Sequence, residues 1–236
     1  MVGEVLHATR RGATLQTYFG RIYNYMAGGL MMSALMAWLS VREPLFNVFY
    51  KVTEGRLTMS VWGWIAVFAP LLVVFLIGNA ASKLNIQKAK LWFWLFSALM
   101  GISLGNLAFL YSGAAMFQAF LVTAGMFFAL SLFGVKTERD LSGFGRFLLM
   151  GLIGIILAGI VNIFVGSGQF NFILNVLSVV VFVGLTAYDT NRLKMAYDPS
   201  DSDEIVQAKS IQGALALYLD FINLFRLMLY FLNDRR

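Results

Sequence analysis

The chain has 236 residues, 59% hydrophobic and 13% charged, with no cysteine, one histidine and a formal net charge of +6. A soluble domain carries about 25% charged residues, so this composition describes an all-α integral membrane protein with no room for a sizeable soluble domain. Disulfides, thiol catalysis, Cys-ligated zinc and His-based metal or triad chemistry are excluded, and the positive charge is placed to orient a membrane protein rather than to bind nucleic acid.

Residues 1–20 are polar, include His7, Arg10 and Arg11, and read as a short cytoplasmic tail; residues 21–236 read as a single membrane domain. The first apolar run starts near Ile22, too late and too long for a cleavable signal peptide. It predicts helix one over Ile22–Val41, stopped by Arg42, Glu43 and Pro44. Residues 42–60 form the longest outer loop, whose aromatic segment LFNVFYKV is either an interfacial stretch or an ordinary loop with apolar anchors. Helix two covers Val61–Ala81, and Pro70 in its middle should kink it. Helix three is expected over Leu91–Tyr111, helix four over Ala114–Gly134 and helix five over Phe147–Val165. A GSGQ turn leads to helix six, Phe170–Tyr188. A polar loop, Asn191–Ser210, precedes helix seven, Gly213–Leu232, which is long enough to cross a bilayer core. Small residues in GISLG (101–105) and GLIGIILAG (151–159) read as helix-packing positions, and Trp62, Trp64, Trp92 and Trp94 as interface anchors.

Charge placement sets the orientation. Lys and Arg concentrate at 10–21, 83–90, 136–146 and 192–209, whereas the other side holds only Arg42, Lys51, Arg56, Arg235 and Arg236. The short turns 112–113 and 166–169 carry no charge. This is a positive-inside pattern with the N-terminus cytoplasmic and the C-terminus outside.

Two acidic residues lie within hydrophobic runs, Asp189 in GLTAYDTNRLK and Asp220 in GALALYLDFINLF. A carboxylate at mid-membrane costs roughly 2.5 to 3.5 kcal/mol on insertion scales, so each is a candidate functional residue in need of a partner. Helices six and seven are antiparallel neighbours in this reading, and Asp220 is about 10 Å along helix seven at 1.5 Å per residue. Both carboxyls then fall in the same third of the membrane. If they meet, both cannot be charged cheaply, and they titrate as one unit. With a proton shared they tie the helices together; with both ionised they repel and attract a cation, a pH-biased latch over a cation path. Arg192, one turn from Asp189, competes for it. Arg192, Asn223 and Tyr188 are candidate supporting residues. The plainer alternative is an Asp bonded to a helix end or to Asn223.

GLTAYDTNRLK at 184–194, ALALYLDFINLF at 214–225, QAFLVTAGMFFALSLFGVKTERDLSGFGRFL at 118–148 and GIVNIF at 159–164 together resemble the Bax inhibitor-1 (transmembrane Bax inhibitor motif) family, in its bacterial branch. The resemblance covers the chain from helix one onward. It implies seven transmembrane helices with the last one central among the other six. It implies an aspartate pair between helices six and seven acting as a pH sensor, here Asp189 and Asp220. It further implies a pH-dependent calcium leak, a bacterial inner-membrane location, no enzymatic activity and no cofactor, with calcium as a transported ion held only transiently at the two aspartates. Eukaryotic members are linked to protection from cell death, and one bacterial member to restraint of the membrane protease FtsH. Helix two departs from some bacterial members: it lacks their acidic gate residue, and its end offers only Asn79 and Lys83 where they carry an arginine.

Two further functions compete with the leak. A non-conducting regulator would bind another membrane protein, such as an FtsH-type AAA protease, with Asp198, Asp201, Asp203 and Glu204 as a contact. An intramembrane aspartyl protease would use the two carboxyls as acid and base, but Leu219-Asp220-Phe221 lacks the Gly-x-Gly-Asp of that class.

Overall fold

A computed structural model of the chain describes residues 2–53 and 56–232, with side chains from Leu15 onward apart from those of 53, 56 and 57. His7, Arg10 and Arg11 lie outside the described side chains, and Arg235 and Arg236 outside the described residues. The elements are helices α1 (Val2–Ser40) and α2 (Leu45–Phe49), strands β1 (Tyr50–Thr53) and β2 (Arg56–Met59), then helices α3 (Val61–Ser82), α4 (Ile86–Leu104), α5 (Leu107–Leu110), α6 (Gly113–Lys136), α7 (Ser142–Val165), α8 (Gly168–Met195) and α9 (Asp203–Leu232). Among the described residues six spans are long and apolar enough to cross a membrane: α3, α4 continued through α5, α6, α7, α8 and α9. The described part of α1 is not among them, for Tyr23, Asn24, Tyr25, Gly28 and Gly29 dilute its apolar run.

Local chemistry explains where the helices start and stop. Ser60, Asn85 and Ser167 accept bonds from the backbone N–H three residues on and so cap α3, α4 and α8. Gly166 ends α7 in the left-handed region, at φ 68°. Pro70 lies buried inside α3, which continues to Ser82.

Several boundaries differ from those expected. The stretch read as a polar tail is the first part of α1, because it holds no proline to break the helix. The 42–60 loop contains α2 and an antiparallel hairpin in which Tyr50 faces Met59 and Lys51 faces Thr58. Its aromatics pack inward: Phe46 stacks on Tyr50, and Tyr50 meets Phe109 of α5 edge-on at 5.2 Å. Helix three divides into α4 and α5 at Gly105 and Asn106. The polar loop before the last helix shrinks to residues 196–202, with α8 gaining seven residues beyond Tyr188 and α9 starting at Asp203. Asp203 and Glu204 occupy the first turn of α9, where the helix dipole favours acidic side chains.

The chain forms two compact units, residues 1–112 with 197–218, and residues 113–196 with 219–236. In the first, α4 packs against both α1 and α3. Their closeness rests on glycine: a Cβ on Gly101 would strike the Ser33 backbone, and one on Gly29 would lie 2.9 Å from Ser97 Oγ. At this seam the Ser33 hydroxyl donates to the Ser97 carbonyl at 2.6 Å and accepts from the Tyr218 hydroxyl at 2.6 Å, all three groups being buried.

In the second unit α8 packs against α6 and α7. Phe221 lies between Phe120 and Phe127 of α6, at 5.7 and 5.6 Å. The outer side chains of α7 are bare, Phe164 being 85% and Ile163 78% exposed, as befits a surface facing hydrocarbon. Gly154 and Gly159, read from sequence as packing positions, have open space beside them. The most apolar stretch of α9 is 56% buried, against 6% for that of α7.

The glycine contacts generate a contrast. Gly101→Val should destabilise the protein by about 1–3 kcal/mol through overpacking, and Gly78→Val, with nothing near its Cβ, should have little effect. Unfolding midpoints in detergent check this.

Candidate functional site

The two aspartates come together in the second unit. Asp189 sits two turns before the end of α8 rather than at its terminus, because Thr190–Met195 continue the helix. Its side chain is 15% exposed, and Oδ1 forms an ion pair with Arg192 Nη2 at 3.0 Å. Asp220, on α9, is only 5% exposed. The two carboxyls are within hydrogen-bonding reach of each other. Ionised carboxylates are acceptors only, so a bond between them requires one shared proton. Asp220 Oδ2 is buried with no hydrogen-bond partner, a state whose desolvation is expensive.

The candidate supporting residues divide. Arg192 meets Asp189 and also lies over the Tyr188 ring, 5.7 Å from its centroid. Tyr188 therefore touches the guanidinium, and its ring packs over Gly145 of α7, where any Cβ would collide with it. Asn223 turns to its own helix, its amide donating to the Leu219 carbonyl at 2.8 Å. Arg226 is exposed.

Sequence reading missed the residues that fix Asp189 in place, because it assigned them to a loop. Asn191 donates to the Gly134 carbonyl at 3.3 Å and accepts from the Leu141 backbone N–H at 3.4 Å. The Thr190 and Ser131 hydroxyls are 3.2 Å apart, and Lys194 donates to the Thr137 carbonyl at 2.9 Å. At Gly134 the end of α6 approaches α8 so closely that a Cβ would be 2.5 Å from the Ala187 carbonyl. Four polar contacts thus bind the last turns of α8 to α6 and to the 137–141 loop. In that loop Asp140 accepts from the Ser142 N–H and hydroxyl, bonds that hold its carboxyl below the ordinary carboxylate range. The signal was present in T-N-R-L-K: Thr190, Asn191 and Lys194 fall on helix positions flanking Asp189, as a continuing helix places them.

Comparison with known proteins places this arrangement. A family model described as "Inhibitor of apoptosis-promoting Bax1" matches residues 15–236. The chain belongs to the Bax inhibitor-1 family. Inner membrane protein YbhL of Escherichia coli (strain K12) is 40% identical over 226 residues, which are 95% of this chain and 94% of that one. A Caulobacter vibrioides protein is also 40% identical, over 95% of this chain and 91% of its own. Protein RP147 of Rickettsia prowazekii (strain Madrid E) is 37% identical, over 94% and 91%. This Bax inhibitor family member is thus a multi-pass membrane protein, and the matched region includes both aspartates and the clamp around them. Among the described residues no three His, Cys, Asp or Glu side chains gather in a way that could hold a metal ion.

The clamp predicts a graded response. Asn191→Ala removes two bonds to backbone groups and should destabilise by about 1–3 kcal/mol. Lys194→Ala, at the helix end, should cost less. Thermal unfolding of the two variants in detergent checks the order.

Proposed function

We propose that this protein is a pH-sensitive cation leak of the bacterial inner membrane, with Asp189 and Asp220 as its sensor and calcium as the transported ion. The observation that supports this most is the contact of two carboxyls, one of them buried with an oxygen that no donor satisfies. With one proton between them the carboxyls bond and hold the last two helices together. As pH rises the proton leaves and two negative charges face each other in a poorly hydrated place. They separate, and the freed oxygens attract a cation. Arg192 pairs with Asp189 at 3.0 Å; it steadies the ionised form of Asp189 and competes with the cation. Calcium takes six to eight oxygen ligands, so two carboxylates with neighbouring carbonyls make a point of passage and not a tight site. In this reading neither carboxyl is catalytic, the protein is not an enzyme and it needs no cofactor.

The inner-membrane assignment draws on the name of the E. coli relative. The proposed topology has α1 as a seventh span, with Met31 69%, Leu35 51% and Trp38 52% exposed as lipid-facing side chains. It has the N-terminus inside, from the Lys and Arg distribution, and the last helix central, in keeping with its burial.

The alternative reading is a non-conducting regulator of a membrane protease of the FtsH type. The acidic residues suggested as its contact are largely engaged within the chain. Asp201 pairs with Lys209 at 2.5 Å, Asp203 with Arg21 at 2.6 Å, and Asp198 accepts from Ser200.

Calcium entry into liposomes containing the purified protein, followed from about pH 5 to pH 8, tests the leak. Flux should rise with pH in the wild type. Asp220→Asn should give low flux at every pH, because the amide donates to Asp189 whether or not a proton is available. A wild-type pH response in that variant refutes the sensor. Wild-type liposomes no leakier than empty ones shift the function to the regulator, to be tested by capture of bound membrane proteases. Orientation is checked on the cysteine-free chain: Gln169→Cys should react with an impermeant maleimide on intact cells, and Glu138→Cys only after permeabilisation.

A further inference from the structure

The first unit contains an open cavity of about 480 Å³ lined by Arg21, Asn24 and Tyr25 of α1, Trp94 of α4 and Gln207 of α9. Its volume is that of a small-molecule site, and it is remote in chemistry from the carboxyl pair. Its walls come from the places where each helix passes from charged to apolar sequence. No charged residue follows Arg21 in α1, Lys90 in α4, or Lys209 in α9 before Asp220. The cavity therefore lies at the level of the lipid headgroups, where Trp and Tyr side chains also settle.

The lining is cationic on one side and aromatic on the other. Arg21 donates to Asp203 Oδ1 at 2.6 Å, with the two side chains 36% and 63% exposed. A guanidinium has five N–H donors, more than that oxygen can use. Lys90 stands at the edge, its ammonium 3.1 Å from Gln207 Oε1 and 5.9 Å from the centre of the Tyr25 ring. Gln207 donates in turn to Asp203 Oδ2 at 2.5 Å. Arg21 thus lines the cavity with Lys90 behind its Gln207 and Tyr25 walls, and Asp203 is the carboxylate bonded to both Arg21 and Gln207. The Trp94 ring is seated on α1 by Gly28, whose Cβ would lie 2.7 Å from it.

We infer that this cavity binds the phosphodiester headgroup of an anionic phospholipid such as phosphatidylglycerol. The phosphate oxygens pair with Arg21 and Lys90. The headgroup hydroxyls meet the amides of Asn24 and Gln207, and the glycerol and upper acyl carbons lie along Trp94 and Tyr25. A zwitterionic lipid would carry its ammonium into the same two cations and is disfavoured. Asp203 is a built-in competitor: it occupies Arg21 until a phosphate replaces it.

Native mass spectrometry of the full-length protein in detergent, with added palmitoyl-oleoyl phosphatidylglycerol or phosphatidylcholine, tests the site. The wild type should retain phosphatidylglycerol in preference. Arg21→Gln and Lys90→Gln should each lower retention about fivefold, as expected for loss of one cation near a membrane surface, and Lys136→Gln should not change it. Asp203→Asn breaks the same ion pair as Arg21→Gln but should raise retention. If both variants lower it, the pair is merely structural and the site is refuted. Equal retention of the two lipids, or equal loss in Lys136→Gln, also refutes it. Millimolar inorganic phosphate should leave the bound lipid in place; if it strips the lipid, the cavity takes soluble phosphate and the lipid assignment falls.

Discussion

Two carboxyl groups lie together, one of them buried with an oxygen that has no hydrogen-bond partner. That constraint organises the second unit. Apolar surroundings supply no water to a buried oxygen, so Asp220 depends on groups within the chain, and the group beside it is another acid, Asp189. A bond between the two carboxyls needs a shared proton, so under the proposed function protonation and helix packing become one variable. The neighbouring structure holds Asp189 in place. Asn191, Thr190 and Lys194 tie Asp189's helix to α6 and the following loop, and the glycines at 134 and 145 allow that approach. Phe221, between Phe120 and Phe127, holds the residue next to Asp220.

The first unit solves a similar problem with neutral groups. Ser33 and Tyr218 lie at a buried seam, and there every polar atom has a partner: a hydroxyl donates to a carbonyl and accepts from a phenol. Nothing at that seam changes charge near neutral pH, so it fixes helices without responding to acid. The same last helix carries Tyr218 in this neutral seam and, two residues on, the ionisable Asp220. Under the proposed function the ionisable contact is the one that can be released.

Much of this was legible in the sequence. Long apolar runs with one interior proline identify spans directly, since only a helix satisfies its own backbone in hydrocarbon. The aspartates stood out because charge is rare in such runs, and motif resemblance joined them. The helix ends were harder. Thr190 to Met195 are mostly polar and include Arg192 and Lys194, so they resemble a loop, yet side-chain bonds to Gly134 and Thr137 tie them to the neighbouring structure as a helix. The hairpin at 50–59 was hidden for a related reason: Tyr50 is aromatic and apolar enough to suggest an interfacial loop, but it is buried against Phe109. Glycine gave mixed signals. Gly101 and Gly134 mark close approaches of helices, Gly154 and Gly159 do not, and spacing along one chain cannot show which face a neighbour occupies.

The two carboxyls differ in access to water, Asp189 being partly exposed and Asp220 almost wholly enclosed. In the proposed sensor, Asp189 is the more open of the two to an arriving proton, and the half-exposed Arg192 marks the side from which it would come. Acid in the compartment on that side would then reset the pair sooner than acid applied across the bilayer.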